Sequence, residues 1–276
     1  DVIRYLERSR GLGDVYKRQA TISRLSARRP LVVVASTNAE AEKLFNDLKL
    51  YIGLEKVDFF PSWETLPFER VSPGVETMGK RLRVIHRLVA SEEKLEVIVT
   101  SVRALVQKLS NQNETFPLRL KTGDSIDYEK LLERLVTSGY KREYQVEHRG
   151  EVAARGSIID FWPSTSASPV RVDFWGDEIE RMCEFGVADQ RSKQSLDDVE
   201  IFPSRELILK AEMLEKASSM ADQNGWGVNE WEKLANGEFF DGMESFMPWL
   251  LKENIVLGDI LPEAVSYTHL TLPTIC

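Results

Sequence analysis

PLVVVASTNAEAEKLFNDLKLYIGL, residues 30 to 54, decides the fold class. Its first seven residues are a continuous apolar, β-branched run, the pattern of a strand buried on both faces of a parallel sheet. The period then changes. Ala39, Ala41, Leu44, Leu48 and Ile52 recur at helical spacing, Thr37 or Asn38 stands where an N-cap is wanted, and Gly53 stands where the helix must stop. Downstream, VDFFP (57–61) reads as a second strand. The loop SWETLPFERVSPG leads into the helix ETMGKRLRVIHRLVAS, LEVIVTSV (95–102) is another buried strand, and VRALVQKL is helix-like. Strand and helix alternate, which predicts a doubly wound α/β domain.

After Leu109 the pattern changes. SNQNETFP is a polar connection, and FPLRLKTGD reads as a strand. Asp127 is placed to cap the helix YEKLLERLVTS, which Gly139 ends. YQVEHRGEVAARGSIIDFWP, SPVRVDFWGDEIERMCEF and SLDDVEIFP follow with two-residue alternation, and HRGE, WPSTSASP and WGDE supply the turns. These segments predict an antiparallel α+β module of ordinary small-domain size. From Pro203 onward SRELILKAEMLEKASSMA reads as helix, and a stretch rich in Trp and Phe ends in a candidate strand, NIVLGDIL.

The two ends of the chain resemble one piece of DNA read in opposite directions. DVYKRQ (14–19) can be encoded by GAT-GTG-TAT-AAG-AGA-CAG. The reverse complement, after its leading CT, translates as VSYTH and the start of a Leu codon, and VSYTHL stands at 265–270. Both ends resemble translated transposon-end adapters, so residues 1–19 and 264–276 are expected to be foreign and are set aside. Removing the five basic and three acidic residues of the first segment from the 36 and 44 of the whole chain leaves 31 and 41, a net charge of −10.

That charge argues against gripping a DNA backbone by bulk electrostatics. The most basic stretch, KRLRVIHRL (80–88), is expected to be a solvated helix face. Cys183 alone excludes an internal disulfide framework in the retained chain and suits a reducing cytosol, so a cytoplasmic location is expected. His86 and His148 are too few and too scattered for a zinc site. No apolar run is long enough to cross a bilayer.

GVETMGK (74–80) has the spacing of a phosphate-binding loop, G-x-x-x-x-G-K. That loop needs Ser or Thr next to hold magnesium, and a strand before it. Here Arg81 follows and PFERVSP precedes, so the match is expected to be coincidental. No catalytic residues, cofactor-binding residues or metal ligands emerge. Hydrolysis through Lys80 is the rival expectation.

The surface of interest is in PVRVDFWGDE. If Val172 and Phe174 face the core, Arg171, Asp173 and Trp175 face outward. Trp and Arg often anchor protein interfaces. Arg155, in EVAARGS, is expected on a neighbouring strand. The competing structural role is a cross-strand Arg–Asp pair with Trp lying over it.

WETLPFERVSP (63–73) resembles the N-terminal region of bacterial transcription-repair coupling factors. GYKREYQVEHRGEVAARGSIIDFWP (139–163) and PVRVDFWGDEIERMCEFGVADQRS (169–192) resemble that family closely, in its order and spacing. The resemblance extends over residues 20–263. It implies a degenerate P-loop-NTPase-like parallel sheet domain (20–114), an α+β module (115–202) that binds UvrA of the nucleotide excision repair excinuclease, and a UvrB-like return segment (203–263). It also implies that Arg155, Arg171 and Trp175 form the protein interface, with Trp175 where the family often has Phe. Arg171→Ala is then expected to abolish binding with the fold retained. The family further implies an ATP-driven DNA translocase whose motor domains use ATP and magnesium, and whose contacts with RNA polymerase and DNA lie in domains downstream. UvrB itself, the damage-recognition protein of the same excinuclease, is the alternative, but the tyrosine-rich hairpin it carries has no counterpart here.

Overall fold

The computed structural model describes residues 30–66, 69–90, 95–110, 116–223, 225–261 and 265–269. Residues 1–19, set aside on sequence grounds, lie outside them, as do 264 and 270–276. Contacts divide the chain into two units, one of Asp1–Ser62, Arg87–Lys108 and Ile255–Cys276, the other of Trp63–His86 and Leu109–Asn254. The sequence-based boundaries, after 114 and 202, fall elsewhere. The fold is mixed α/β, with one parallel sheet and two largely antiparallel ones.

In the first unit β1 (Leu31–Ala35), β2 (Val57–Phe60) and β3 (Val97–Ser101) are buried at every position, as their unbroken apolar runs require. With the strand Val265–His269 they form a parallel sheet in the order Val265–His269, β1, β3, β2. The helix Asn38–Ile52 begins where Thr37 Oγ1 accepts the Glu40 amide at 3.2 Å, and Gly53 closes it at φ 108°. Ala41, Leu44 and Leu48 pack with Val33, Phe59 and Val99, whereas Ala39, expected on the same stripe, is exposed. Val265–His269 overlaps the segment set aside on sequence grounds. A sheet edge offers unpaired backbone groups to any extended chain, so pairing there needs β-propensity and not a particular sequence. NIVLGDIL is not a strand: Val256 makes one bridge to Lys108, and Leu257–Ile260 is a helical turn. Asp259 takes the Val256 amide at 2.9 Å and starts that turn.

The second unit holds β4 (Leu118–Lys121), β5 (Lys141–Arg142), β6 (Glu151–Arg155), β7 (Ile158–Phe161), β8 (Val170–Trp175), β9 (Glu178–Phe185), β10 (Ser192–Leu196) and β11 (Asp198–Ile201). A six-stranded sheet runs β10-β9-β8-β7-β6-β5, antiparallel except for β5 with β6. SLDDVEIFP, read as one strand, divides at Asp197, because Ser192–Leu196 pairs with β9 while Asp198–Ile201 pairs with β4. One face of the six-stranded sheet is covered by the helix Tyr128–Thr137, capped by Asp127 on the Lys130 amide at 2.9 Å. Leu131, Leu132 and Leu135 of that helix share a core with Val152, Ile159, Val172 and Met182.

The helix expected from Pro203 begins only at Ala211 and ends at Gln223. Glu206 and Leu207 are both buried. Extended backbone sends neighbouring side chains to opposite sides, Glu206 to Arg81 and Trp63 and Leu207 into an apolar cluster, which one helical face could not do. Trp231, Met243, Phe246 and Leu250 fill that cluster, with the Trp231 ring edge-on to Phe246 at 4.8 Å.

A candidate protein interface on the six-stranded sheet

Alternation along β8 sorts its residues by face. Val170, Val172 and Phe174 are buried in the core, Arg171 and Asp173 are half-buried, and Trp175 is 78% exposed. Strand register carries that face across the sheet. Arg155 lies opposite Ile158, Ile158 opposite Asp173, and Asp173 opposite Arg181. One row inward the partners are Ala153, Asp160, Arg171 and Cys183. Directly opposed residues share a face. Arg155, Arg171 and Trp175 therefore stand on the same side of one sheet, the side away from the helix.

They stand there in different states. Arg171 forms a two-pronged ion pair with Asp160, Nε to Oδ1 at 2.7 Å and Nη2 to Oδ2 at 2.8 Å. Its Nη1 donates to the Gln190 carbonyl at 3.1 Å, and its guanidinium lies 4.8 Å over the Phe185 ring. The bond to Asp160 holds the Arg171 pKa above its ordinary value. Asp160 is 2% exposed. Cross-strand pairing thus occurs as the competing role anticipated, but Phe185, and not Trp175, supplies the aromatic face. Gln190 has φ 55°, a left-handed conformation that the Arg171 bond and its own Nε2 bond to Val187 O at 2.7 Å help to hold. Removing Arg171 would leave a buried carboxylate and release this turn, so Arg171→Ala is expected to lower the stability of the fold.

Arg155 is exposed at the end of β6. Its Nε and Nη2 donate to the Tyr144 carbonyl at 3.2 and 2.7 Å, and its guanidinium sits 5.0 Å over the Tyr144 ring. Tyr144 is 87% exposed. Tyr144 and Arg181 are the surface residues that sequence reasoning missed. Only the register, which puts Arg181 in the Arg155 row, could have found the latter.

The other residues singled out in the sequence have structural partners. Gly74–Lys80 leads into and forms the first turns of the helix Val75–Ala90, and Lys80 Nζ pairs with Glu76 at 2.8 Å. A Cβ on Gly79 would come within 2.5 Å of Ser164 Oγ, so this glycine permits the close approach of Ser164 to the helix. KRLRVIHRL is not a solvated face throughout. Arg81 is buried and donates to Glu206 at 2.6 Å, and Arg87 donates to buried Asp58 at 2.8 Å. Two acidic side chains on buried backbone drew these cations inward, which helical spacing alone could not reveal. Burial pushes the Glu206 pKa up, against the opposing pull of Arg81 and the Trp63 indole bond. His86 is buried with its ring edge-on to Phe116 and Phe202, His148 is exposed beside Glu151, and Cys183 is buried and free. Among the described residues no His, Cys, Asp and Glu cluster could hold a metal ion, and no helix is long and apolar enough to cross a membrane.

Residues 118–207, which contain this sheet, match the family model of the UvrB interaction domain. The chain is 40% identical over 258 residues to the transcription-repair-coupling factors of Mycobacterium bovis and Mycobacterium tuberculosis, covering 87% of this chain and 21% of each relative. The chain belongs to the transcription-repair-coupling factor family. The factor from Haemophilus influenzae is 26% identical over 247 residues, again across 87% of this chain. The chain spans about a fifth of the length of the curated family members it matches. The matched domain begins at β4 and ends at Leu207, so the Arg155, Arg171 and Trp175 face lies wholly inside it.

Proposed function

We propose that the chain is a recruitment module, in which the open face of the six-stranded sheet docks UvrA of the nucleotide excision repair excinuclease. One observation carries this: Trp175, 78% exposed, shares a sheet face with Arg155 inside the segment that matches the UvrB interaction domain. Trp and Arg are enriched among interface hot spots, and here an exposed indole and an exposed guanidinium share one face. Trp175 supplies contact area, Arg155 meets an acidic group, and Arg171 holds the floor of the face through Asp160 and Gln190 while its edge remains accessible. By this reading the chain does no chemistry of its own. Its parallel sheet is a degenerate nucleotide-binding-like domain, and ATP, magnesium, RNA polymerase and DNA are engaged elsewhere in a cytoplasmic, ATP-driven translocase.

The test is a calorimetric titration of the full chain against UvrA. Saturable binding that Trp175→Ala weakens by about 2 kcal/mol or more, with an unchanged melting temperature, supports the reading. Equal affinity of the variant and the parent chain removes this face from consideration.

A further inference from the structure

The open half of the sheet face carries two large exposed aromatics, Tyr144 and Trp175, and two exposed cations, Arg155 and Arg181. In this half Asp173 stands opposite Arg181 and Glu178 opposite Trp175, while Asp160, one row inward, is taken by Arg171. Arg155 has Ile158 as its cross-strand neighbour. The partners the structure gives its guanidinium are the carbonyl and the ring of Tyr144. A guanidinium has five N–H donors, and the Tyr144 carbonyl engages one on Nε and one on Nη2, so Nη1 keeps both of its own for an outside acceptor. Tyr144 thus fixes the plane of Arg155 before any partner arrives, removing much of the rotamer entropy that a free arginine loses on binding. Two strand spacings and two residues separate Arg155 from Trp175, about 10 Å across and about 7 Å along the sheet, so one partner segment can touch both.

We propose that Tyr144 is a specificity residue of the docking face: with Arg155 it forms a preassembled aromatic–guanidinium clamp that takes a carboxylate on an acidic segment of the partner protein. The Arg155 guanidinium favours such an occupant, since among the described residues it is bound to the Tyr144 carbonyl and ring and to no carboxylate. The inference rests on the docking reading above and adds to it the residue and the chemical group received.

The experiment titrates UvrA with the full chain as the parent sequence, Tyr144→Ala, Tyr144→Phe, Arg155→Ala, Trp175→Ala and the Tyr144→Ala/Arg155→Ala double variant. Melting temperatures confirm that each variant is folded. Tyr144→Ala is expected to weaken binding about threefold to thirtyfold, and Tyr144→Phe, which keeps the ring, by less than about twofold. In the Arg155→Ala background, Tyr144→Ala should change affinity by less than about twofold, because the tyrosine acts through the arginine. A purely structural Tyr144 would not produce that coupling. Tyr144→Ala binding like the parent, or effects that multiply in full, overturns the clamp. If Trp175→Ala then still weakens binding, the docking reading survives without it. Absence of binding by the folded parent chain overturns both.

Discussion

The two halves of the outer sheet face use the same materials to opposite ends. In the closed half, Arg171 lies over Phe185, grips a carboxylate that is 2% exposed, and holds the backbone at Gln190. In the open half, Arg155 lies over Tyr144, which is 87% exposed, and donates to its backbone carbonyl. Both are arginines stacked on aromatic rings. What differs is the burial of the partner. Ala153, Phe185 and Val146 form a small core in the closed half, and Arg171 neutralises the buried Asp160 carboxylate there. The lesson is that an arginine on a predicted interface face can belong to the fold, and only its partner's burial says which. A loss of binding at Arg171 would therefore identify the surface less securely than a loss at Trp175.

Perturbing each half should separate the two roles. The largest effect is expected from Arg171→Ala, which strands Asp160 in the protein and should cost about 3 kcal/mol or more of stability in urea denaturation. Replacing both partners by apolar residues, Asp160→Leu with Arg171→Met, should recover much of that loss, and a double variant no more stable than Arg171→Ala would contradict the account. Next comes Trp175→Ala in the open half, with affinity for UvrA reduced by about 2 kcal/mol or more and stability unchanged.

The pair Arg81–Glu206, more buried than either half, extends the comparison to pH. Burial raises the Glu206 pKa above its ordinary 4.5, outweighing Arg81 and Trp63, which oppose it. The folded state then holds the Glu206 proton more tightly than the unfolded chain. This group's stabilisation is greatest below 4.5 and falls as pH rises through the folded value. Glu206→Gln, which cannot ionise, should remove that alkaline-side decline in urea midpoints measured across pH. A decline of the same size in the variant would show that another group causes it. The smallest effect is Arg155→Ala on stability, expected within about 0.5 kcal/mol because the side chain is exposed; a larger drop in melting temperature would erase the distinction between the halves.

Much of this was legible from residue order. PLVVVAS and LEVIVTSV read as doubly buried strands from their unbroken β-branched runs, and alternation divides PVRVDFW into two faces, of which the structure buries the Val172 and Phe174 side. Asp127 and the pair Thr37 or Asn38 mark helix starts because capping is a local hydrogen bond between residues three apart, and the structure uses Thr37. Alternation also puts Trp175 outward, whereas for Arg155 residue order predicts only a neighbouring strand and the family resemblance supplies its place on the interface. Less legible were features that depend on residues distant in sequence. The basic helix face was expected in solvent, and Arg81 went inside because Glu206, 125 residues later, was there to meet it. The helix expected from Pro203 starts late for the same reason. The NIVLGDIL segment carried the apolar pattern of a strand, but the Asp259 carboxylate turned it into a helical cap.

Sequence alone therefore determined the alternation of strand and helix, the two faces of β8 and the family to which the chain belongs, since each depends on local period or on motif order. Tertiary structure decided which cations became part of the fold and which stayed open. Burial and pairing are properties of what surrounds a side chain. The neighbours that matter here, Asp160 for Arg171, Glu206 for Arg81 and Tyr144 for Arg155, are brought together only by strand register and by packing between segments far apart in the chain.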